Sequence, residues 1–138
     1  MEKKEELQKK YVEMKLVEQQ ISNVQNHLKV MEQQMTELMS TISGLDDFQE
    51  IKDSSEILVP LQNGIFTKAT LKKEQKLLIN VGADVVVEKD IDGTSKLLKK
   101  QLEELKVAQE QMVEQFQQVV KYASNLEKEI SELAADMN

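Results

Sequence analysis

A heptad pattern of apolar residues in the last third of the chain constrains the fold more than any other feature. Apolar side chains recur at alternating spacings of four and three residues, and Gln109 is the one polar residue among twelve positions. A pattern of this length predicts a helix in a left-handed coiled coil, with Asp90 or Asp92 as its N-cap. The positions are Leu98, Leu102, Leu105, Gln109, Met112, Phe116, Val119, Ala123, Leu126, Ile130, Leu133 and Met137.

The first third of the chain carries a second, less regular seam, with one place where two spacings of three follow each other. It predicts a helix that passes Gly44 and ends near Glu50 or Lys52, where Asp53-Ser54-Ser55 interrupts it. The positions are Leu7, Tyr11, Met14, Val17, Ile21, Val24, Leu28, Met31, Met35, Leu38, Ile42 and Leu45.

The two seams have nearly equal lengths, 38 and 39 residues from first to last position. A chain folded back at its centre would pair them as antiparallel helices, with Leu45 near Leu98 and Leu7 near Met137. The alternative is that each helix pairs with another chain. The matched lengths and the short centre favour pairing within one chain.

The centre of the chain loses the heptad pattern and gains residues typical of strands. Two short apolar segments, residues 57–61 and 65–70, lie on either side of Asn63-Gly64. Asn-Gly is a strong signal for a two-residue type I′ turn, because both residues tolerate positive φ. The segment therefore predicts a β-hairpin.

The turn at Asn63-Gly64 also predicts a register for this hairpin. It places Leu61 opposite Phe66 and Val59 opposite Lys68. In this register one face of the hairpin carries the apolar side chains of Ile57, Val59, Leu61 and Phe66.

A second hairpin is predicted after a polar break at residues 72–75, with strands at 76–81 and 85–89 separated by residues 82–84. Large apolar side chains alternate onto both faces of these strands, and two isolated hairpins cannot bury them alone. We therefore expect the hairpins to be assembly surfaces. The residues predicted for oligomerisation are Ile57, Val59, Leu61, Phe66, Leu77, Leu78, Ile79, Val81, Val85 and Val87.

Composition excludes several classes of function. The chain has no Cys, one histidine (His27), no Arg among its 18 basic residues and a net charge of −7. We expect no metal site, no nucleic-acid binding and no membrane span, because thiolate ligands, guanidinium groups and a long apolar segment are missing. No catalytic constellation and no phosphate-binding Gly-rich loop is present, so we expect neither an enzyme nor a cofactor. Because the sequence shows no signal-peptide pattern, we expect a cytoplasmic location.

The two central segments resemble those of the prefoldin family. Ile57-Leu58-Val59-Pro60-Leu61 followed by Asn63-Gly64 is similar to the family's LVP-h-x-x-G strand and turn, where h is hydrophobic. Residues 80–89, NVGADVVVEK, are similar to its VGAG-h-h-h-EK segment, with Asp84 in place of the usual small residue. Two hairpins rather than one are the mark of the alpha class.

The resemblance implies a mainly α fold, a long antiparallel two-helix coiled coil with two β-hairpins at the bend, the hairpins forming an oligomeric β-barrel. Residues 1–52 and 90–138 would be the coiled-coil helices and 53–89 the assembly platform, within a single domain. It further implies a chaperone of two alpha and four beta subunits. Such a complex would capture unfolded polypeptides without ATP and deliver them to a group II chaperonin.

Clients would be gripped at the far end of the coiled coil, where the helix ends fray and expose apolar seam residues. The off-seam residues Leu16, Val113 and Val120 could widen that surface, and removal of residues 1–12 and 127–138 is expected to abolish client protection. Two alternatives are a structural filament built through the hairpins and a coiled-coil tether without client binding. The residues predicted for client contact are Leu7, Tyr11, Met14, Leu126, Ile130, Leu133 and Met137.

Overall fold

Two long helices flank four short strands in the chain. The computed structural model describes residues 2–73 and 76–137, so the predicted polar break at 72–75 lies partly outside the described residues. The predicted mainly α fold with two antiparallel hairpins between two helices is confirmed. The elements are α1 (Glu2–Glu50), β1 (Ser55–Gln62), β2 (Ile65–Leu71), β3 (Leu77–Gly82), β4 (Val85–Lys89) and α2 (Ile91–Asp136).

The residues group into two compact units, and both unit boundaries fall inside the helices. The first unit combines α1 up to Met35 with α2 from Glu104 onward. The second unit, Thr36–Glu103, contains the remaining parts of both helices and all four strands. The boundaries of these units differ from those of the predicted segments 1–52, 53–89 and 90–138, which lie near the ends of the helices and strands.

In the first unit the two helices pack side by side and antiparallel. Lys10 Nζ lies 2.7 Å from Glu129 Oε2, and farther along α1 the Glu13 carboxylate accepts a hydrogen bond from Tyr122, which precedes Glu129. Between the helices lies a small apolar core. Its buried members are Val17, Ala123 and Leu126, against which Met14, Ile21, Val119 and Ile130 pack.

The heptad seams predicted from sequence are the shielded faces of both helices. Every seam position is buried or half-buried except Tyr11 and Met137, and the polar Gln109 is half-buried with its apolar neighbours. Helix α1 continues through Gly44, where an added Cβ would meet nothing within 4 Å, and it ends at Glu50 as predicted.

In the second unit a side-chain cap starts α2. Of the two candidates, Asp90 is the N-cap: its Oδ1 accepts a hydrogen bond of 2.7 Å from the backbone N–H of Gly93. The Thr94 backbone and hydroxyl donate to the Asp90 carbonyl at 3.0 and 2.8 Å. Asp92 instead accepts a hydrogen bond of 2.8 Å from Gln49, so it links the adjoining ends of α1 and α2.

Strands β1 and β2 form hairpin 1, and its observed register differs from the predicted one. The prediction that Leu61 lies opposite Phe66 and Val59 opposite Lys68 is wrong by one residue. Leu61 is the extra residue of a β-bulge, which shifts all earlier pairs by one position. The observed pairs include Leu58–Lys68, Val59–Thr67, Pro60–Phe66 and Gln62–Ile65.

The backbone torsions explain how the predicted turn and the unpredicted bulge coexist. Asn63 and Gly64 have φ values of 54° and 77°, as a type I′ turn requires. Gln62, directly before the turn, also has a positive φ of 107°. A Gly usually occupies such a bulge position, and Gln62 gives no sequence signal for it.

The bulge changes which side chains share a face of hairpin 1. Ile57 and Val59 share one face with Ala69, and all three are half-buried. Phe66 lies on the opposite, exposed face with Leu58. The prediction that Phe66 shares a face with Ile57 and Val59 is therefore wrong.

Strands β3 and β4 form hairpin 2, which has the same local geometry as hairpin 1. Gly82, Ala83 and Asp84 have φ values of 113°, 49° and 61°, so a bulge again precedes a type I′ turn. The backbone N–H of Gly82 donates a hydrogen bond of 2.9 Å to Asn80 Oδ1. The observed pairs are Leu77–Lys89, Leu78–Glu88, Ile79–Val87, Asn80–Val86 and Gly82–Val85.

Candidate functional site

Each hairpin has one half-buried face and one exposed face, which we call its outer face. Alternation along a strand and pairing across the ladder together assign the side chains to these faces. Leu78 illustrates the exposure, with 70% of its surface accessible. The outer face of hairpin 1 carries Leu58, Pro60, Phe66 and Lys68, and that of hairpin 2 carries Leu78, Asn80, Val86 and Glu88.

The two hairpins are structural repeats separated by twenty residues. When twenty is added to both residue numbers of any pair in hairpin 1, from Ile57–Ala69 to Gln62–Ile65, the result is a pair of hairpin 2. The exposed large apolar side chains obey the same shift. Both repeats therefore present an equivalent apolar surface to solvent, as expected for an interaction surface. The equivalent exposed pairs are Leu58/Leu78, Leu61/Val81, Ile65/Val85 and Phe66/Val86.

The ten residues predicted for oligomerisation fall on both faces of the hairpins. Ile57, Val59, Leu77, Ile79 and Val87 are half-buried, whereas Leu61, Phe66, Leu78, Val81 and Val85 are exposed. Sequence reasoning missed Leu58, Ile65 and Val86, which are also exposed. Period-two alternation in β1 contains the signal for Leu58, which lies between two residues that point to the other face.

The described terminal part of the coiled coil, residues 2–14 and 126–137, is called the tip segment. Of the seven predicted client-contact residues, Leu126 is the most buried, with 3% of its surface exposed. Leu7, Met14, Ile130 and Leu133 are half-buried. Tyr11 and Met137 are 51% and 46% exposed, so these two seam side chains already contact solvent in the folded chain.

Two polar contacts join the helices beside the apolar core. Lys10 pairs with Glu129, and Glu13 accepts the hydrogen bond from Tyr122. The hydrogen bond and negative charge of Glu129 raise the pKa of Lys10 above its usual value. These contacts and Leu126 hold the two helices together close to their free ends.

A second apolar surface of α1 faces away from the seam. Val12 and Leu16 are exposed, and Val12 lines a shallow surface cleft of about 370 Å³ with Glu5, Gln8 and Lys9. The residues that line this cleft are successive positions on one face of a helix. Leu16 was predicted as an off-seam apolar contact, whereas Val12 was not.

Within residues 2–73 and 76–137, no three His, Cys, Asp or Glu side chains lie close enough together to hold a metal ion. Neither helix is long and apolar enough, over its described part, to cross a membrane. The candidate functional surfaces are the exposed apolar surfaces of the hairpins and of the tip segment.

The family model described as "Prefoldin subunit" matches residues 17–136. A curated protein of Methanococcus aeolicus named prefoldin subunit alpha is 33% identical over 128 residues, which cover 93% of this chain and 87% of that protein. The prefoldin subunit alpha of Archaeoglobus fulgidus is 27% identical over 95% of this chain and 96% of its own length.

A solved structure gives the same fold. A chain from the cryo-EM structure of filamentous PFD from Methanocaldococcus jannaschii matches with a TM-score of 0.61 and 16% identity, and the match covers 89% of this chain and 90% of that one. The family match extends over both hairpins and most of both helices. This chain therefore belongs to the prefoldin family, whose members are chaperones rather than enzymes.

Proposed function

We propose that this chain is an alpha-class subunit of a cytoplasmic chaperone with two alpha and four beta subunits. Its hairpins would assemble the complex, and its tip segment would hold non-native polypeptides without ATP until a group II chaperonin receives them. The single observation that carries the proposal is the position of the exposed apolar side chains. Eight of them occupy equivalent places in the two hairpins, and two others, Tyr11 and Met137, are seam positions of the tip segment.

Client binding by the tip segment follows from partial exposure of its seam. Unfolded polypeptides expose apolar segments, and Tyr11 and Met137 offer accessible apolar area for contact with them. The flexible, polarisable side chain of Met137 suits a varied set of clients. Leu7 and Leu133 would add area when the terminal turns fray. Leu126 would participate only when the helices separate, since it is buried in the core.

Weak individual contacts suit this function. Six coiled-coil tips in one complex, two from copies of this chain and four from the beta subunits, would act together, so a client bound weakly at each could still be retained by the whole. Release to a chaperonin would then need only the loss of a few contacts. Hydrolysis of a nucleotide would not be required.

A second candidate function is a structural filament built through the hairpins. The resemblance of this chain to a chain in the filamentous PFD structure favours it. In that case hairpins of identical chains would pair without closing into a hexamer, and mass would grow with protein concentration. A closed chaperone complex has one defined mass instead.

The first experiment measures mass by light scattering after gel filtration, for the chain alone and with a beta-class prefoldin subunit. A mixed species of two copies of this chain and four of its partner would support the chaperone complex. A broad, heavy distribution from the chain alone would support the filament. A monomer that does not bind the beta-class subunit would contradict both candidate functions.

Client binding is tested separately by suppression of the aggregation of a chemically denatured enzyme. The double variant Tyr11→Ser and Met137→Ser removes exposed apolar seam residues of the tip segment. Its matched control is Val30→Ser and Met39→Ser, because these α1 side chains are equally exposed but lie outside that segment. We expect only the first variant to lose protection, while both keep the mass of the complex.

The predicted truncation of residues 1–12 and 127–138 provides the stronger form of this test. We expect it to abolish protection and to leave assembly intact, because the hairpins lie outside the removed residues. Full protection by the truncated complex would place the client-binding surface elsewhere.

A further inference from the structure

The turn of hairpin 1 contains an asparagine whose surroundings differ from those of the other asparagines in residues 2–73 and 76–137. In the whole sequence Asn63 is the only asparagine followed by glycine. Asn63 and Gly64 are both exposed, and their φ values of 54° and 77° belong to the two central residues of the turn. The side-chain amide of Asn63 therefore lies in solvent, next to a residue that has no side chain.

Neither of the two groups that could react with each other is held by other contacts. No hydrogen bond within residues 2–73 and 76–137 holds the Asn63 side chain. Gly64 lies between the paired residues Gln62 and Ile65 and has no partner in the ladder. A Cβ added to Gly64 would meet nothing within 4 Å. The backbone nitrogen of Gly64 is thus open to approach by Cγ of Asn63.

The other asparagines of the described residues lack this combination. Asn23, Asn26 and Asn125 lie inside helices, where the next N–H donates to a carbonyl four residues earlier. Asn80 Oδ1 is held by a hydrogen bond of 2.9 Å from the backbone N–H of Gly82. Each of the four is followed by a residue with a large side chain beside its backbone nitrogen, namely Val24, His27, Leu126 and Val81.

Hairpin 2 forms the same turn without an asparagine. Ala83 and Asp84 occupy the positions equivalent to Asn63 and Gly64, and their φ values are 49° and 61°. The backbone conformation of the turn therefore does not require the amide of Asn63. The amide adds a chemical property that only hairpin 1 has.

We propose that Asn63 is a site of spontaneous deamidation, which converts the turn of hairpin 1 into an isoaspartyl linkage. Asparagine is among the thermolabile residues. The nitrogen of Gly64 attacks Cγ of Asn63 and closes a succinimide ring, and the side-chain nitrogen leaves as ammonia with the proton of the Gly64 N–H.

Water then opens the ring at one of two bonds. Cleavage between the ring nitrogen and Cγ gives aspartate, and cleavage between the ring nitrogen and the main-chain carbonyl carbon gives isoaspartate. The sum is the exchange of one water for one ammonia, and nothing is oxidised or reduced.

The isoaspartyl product changes the turn itself. Its main chain runs through Cβ and Cγ, so the two-residue loop gains one atom and cannot keep the type I′ conformation. A two-stranded hairpin is only marginally stable alone, and we expect the pairs Gln62–Ile65 and Pro60–Phe66, next to the turn, to open. The modification therefore disrupts hairpin 1 and spares hairpin 2.

Peptide masses, measured after incubation of the full chain at mildly alkaline pH, test the site. Trypsin cleaves after lysine, so residues 53–68 form one peptide with Asn63 as its only asparagine. The peptides 16–29, 77–89 and 122–128 contain the helical and strand asparagines and serve as internal controls. We expect peptide 53–68 to deamidate about tenfold faster than the controls, because Gly64 has no Cβ beside the attacking nitrogen. Equal rates would overturn the proposal.

The ring mechanism has its own readout. An isoaspartyl methyltransferase with labelled S-adenosylmethionine labels isoaspartate and leaves aspartate unlabelled. We expect label in peptide 53–68 of the incubated chain. Deamidation that produced aspartate alone would overturn the succinimide route and the isoaspartyl linkage.

Two variants remove and transplant the reactive pair. Asn63→Ala copies the residue at the equivalent position of hairpin 2, so it should keep the turn and abolish deamidation of peptide 53–68. Ala83→Asn combined with Asp84→Gly creates the pair in hairpin 2, where we expect deamidation within about threefold of the native rate at Asn63. Continued deamidation of peptide 53–68 in the first variant, or an inert pair in the second, would contradict the proposal.

Light scattering with a beta-class subunit measures the effect on assembly, which rests on the proposed function because it takes the hairpins as assembly surfaces. We expect the incubated native chain to lose the mixed complex in proportion to its isoaspartate content. Incubated Asn63→Ala is the matched control and should assemble like fresh protein. Undiminished assembly of a chain rich in isoaspartate would contradict the disruption of hairpin 1.

The same samples separate this proposal from the proposed function. If the fresh chain forms the mixed complex but Asn63 does not deamidate, only this inference fails. If Asn63 deamidates but the fresh chain forms no mixed complex, the proposed function fails and the modification site stands.

Discussion

The helices shield the apolar side chains of their seams from solvent, whereas the hairpins expose many of theirs. Along the helices almost every seam side chain is buried or half-buried, because an antiparallel helix of similar length covers it. Each hairpin is a two-stranded sheet, and a two-stranded sheet has no layer to cover both of its faces. One chain can therefore complete its helical seam alone, whereas its hairpins need other chains.

The largest expected effect tests whether the helical core provides stability. Leu126→Ala removes the most buried side chain of the first unit and should lower the free energy of unfolding by about 2–4 kcal/mol. Leu16→Ala is the control, since Leu16 is 62% exposed on α1 and its loss should change stability by less than about 0.5 kcal/mol. Urea unfolding followed by circular dichroism measures both, and equal losses would contradict the assignment of the core.

The next effect tests whether the exposed side chains of the hairpins contribute to association between chains rather than to the stability of one chain. Phe66→Ser and Leu78→Ser each remove an exposed apolar side chain from an outer face. We expect the dissociation constant of the assembly to rise about tenfold, with helical content and unfolding unchanged. Sedimentation and circular dichroism on the same samples measure this, and a loss of helix would show that the hairpins support the helices.

A smaller effect sharpens the comparison between the two hairpins. Asp84→Gly should stabilise hairpin 2 by about 1 kcal/mol, because Asp84 has a φ of 61°, a conformation costly for residues with a Cβ. Gly64→Ala at the equivalent position should destabilise hairpin 1 by a similar amount of about 1 kcal/mol. Amide hydrogen exchange in the strands measures each change, and effects of the same sign would refute the equivalence of the turns.

The smallest effect concerns the ion pair of the tip segment. Glu129 raises the pKa of Lys10, so the charged lysine stabilises the folded state at pH values below its unfolded pKa of 10.5. That contribution disappears as pH rises through the higher pKa of the folded state. Native protein should therefore lose more thermal stability than Lys10→Met between about pH 9 and about pH 12. Parallel plots of thermal stability against pH for the two proteins would show that the ion pair does not contribute to the stability of the folded state.

The two helices and their seam positions could be predicted from sequence almost residue by residue. A seam of twelve positions repeats one requirement many times, so a single exception such as Gln109 does not hide it. The exposure of Tyr11 and Met137 was implied only through the argument about fraying ends. The burial of Leu126 depends on how well the opposite helix packs there, which the heptad spacing does not specify.

The register of hairpin 1 could not be read from its own residues. The prediction assumed that the Asn63-Gly64 turn continued directly into regular pairing, and the bulge at Leu61 breaks this assumption. Hairpin 2 contained the missing signal, because Gly82 occupies the position equivalent to Gln62 and also has positive φ. Comparison of the two segments would have placed the bulge in both, and with it Phe66 and Val86 on the outer faces.

The spacing of the two hairpins has a consequence for how such genes can change. Because the repeat is twenty residues long, loss of residues 70–89 joins Ala69 directly to Asp90, the residue that caps α2. The residues of the bulge and turn of hairpin 1 and those of both helices lie outside the removed segment. A single in-frame loss or duplication of that segment is therefore expected to interconvert one-hairpin and two-hairpin chains. A circular dichroism spectrum of the shortened protein with undiminished helix would show that both helices form with a single hairpin between them.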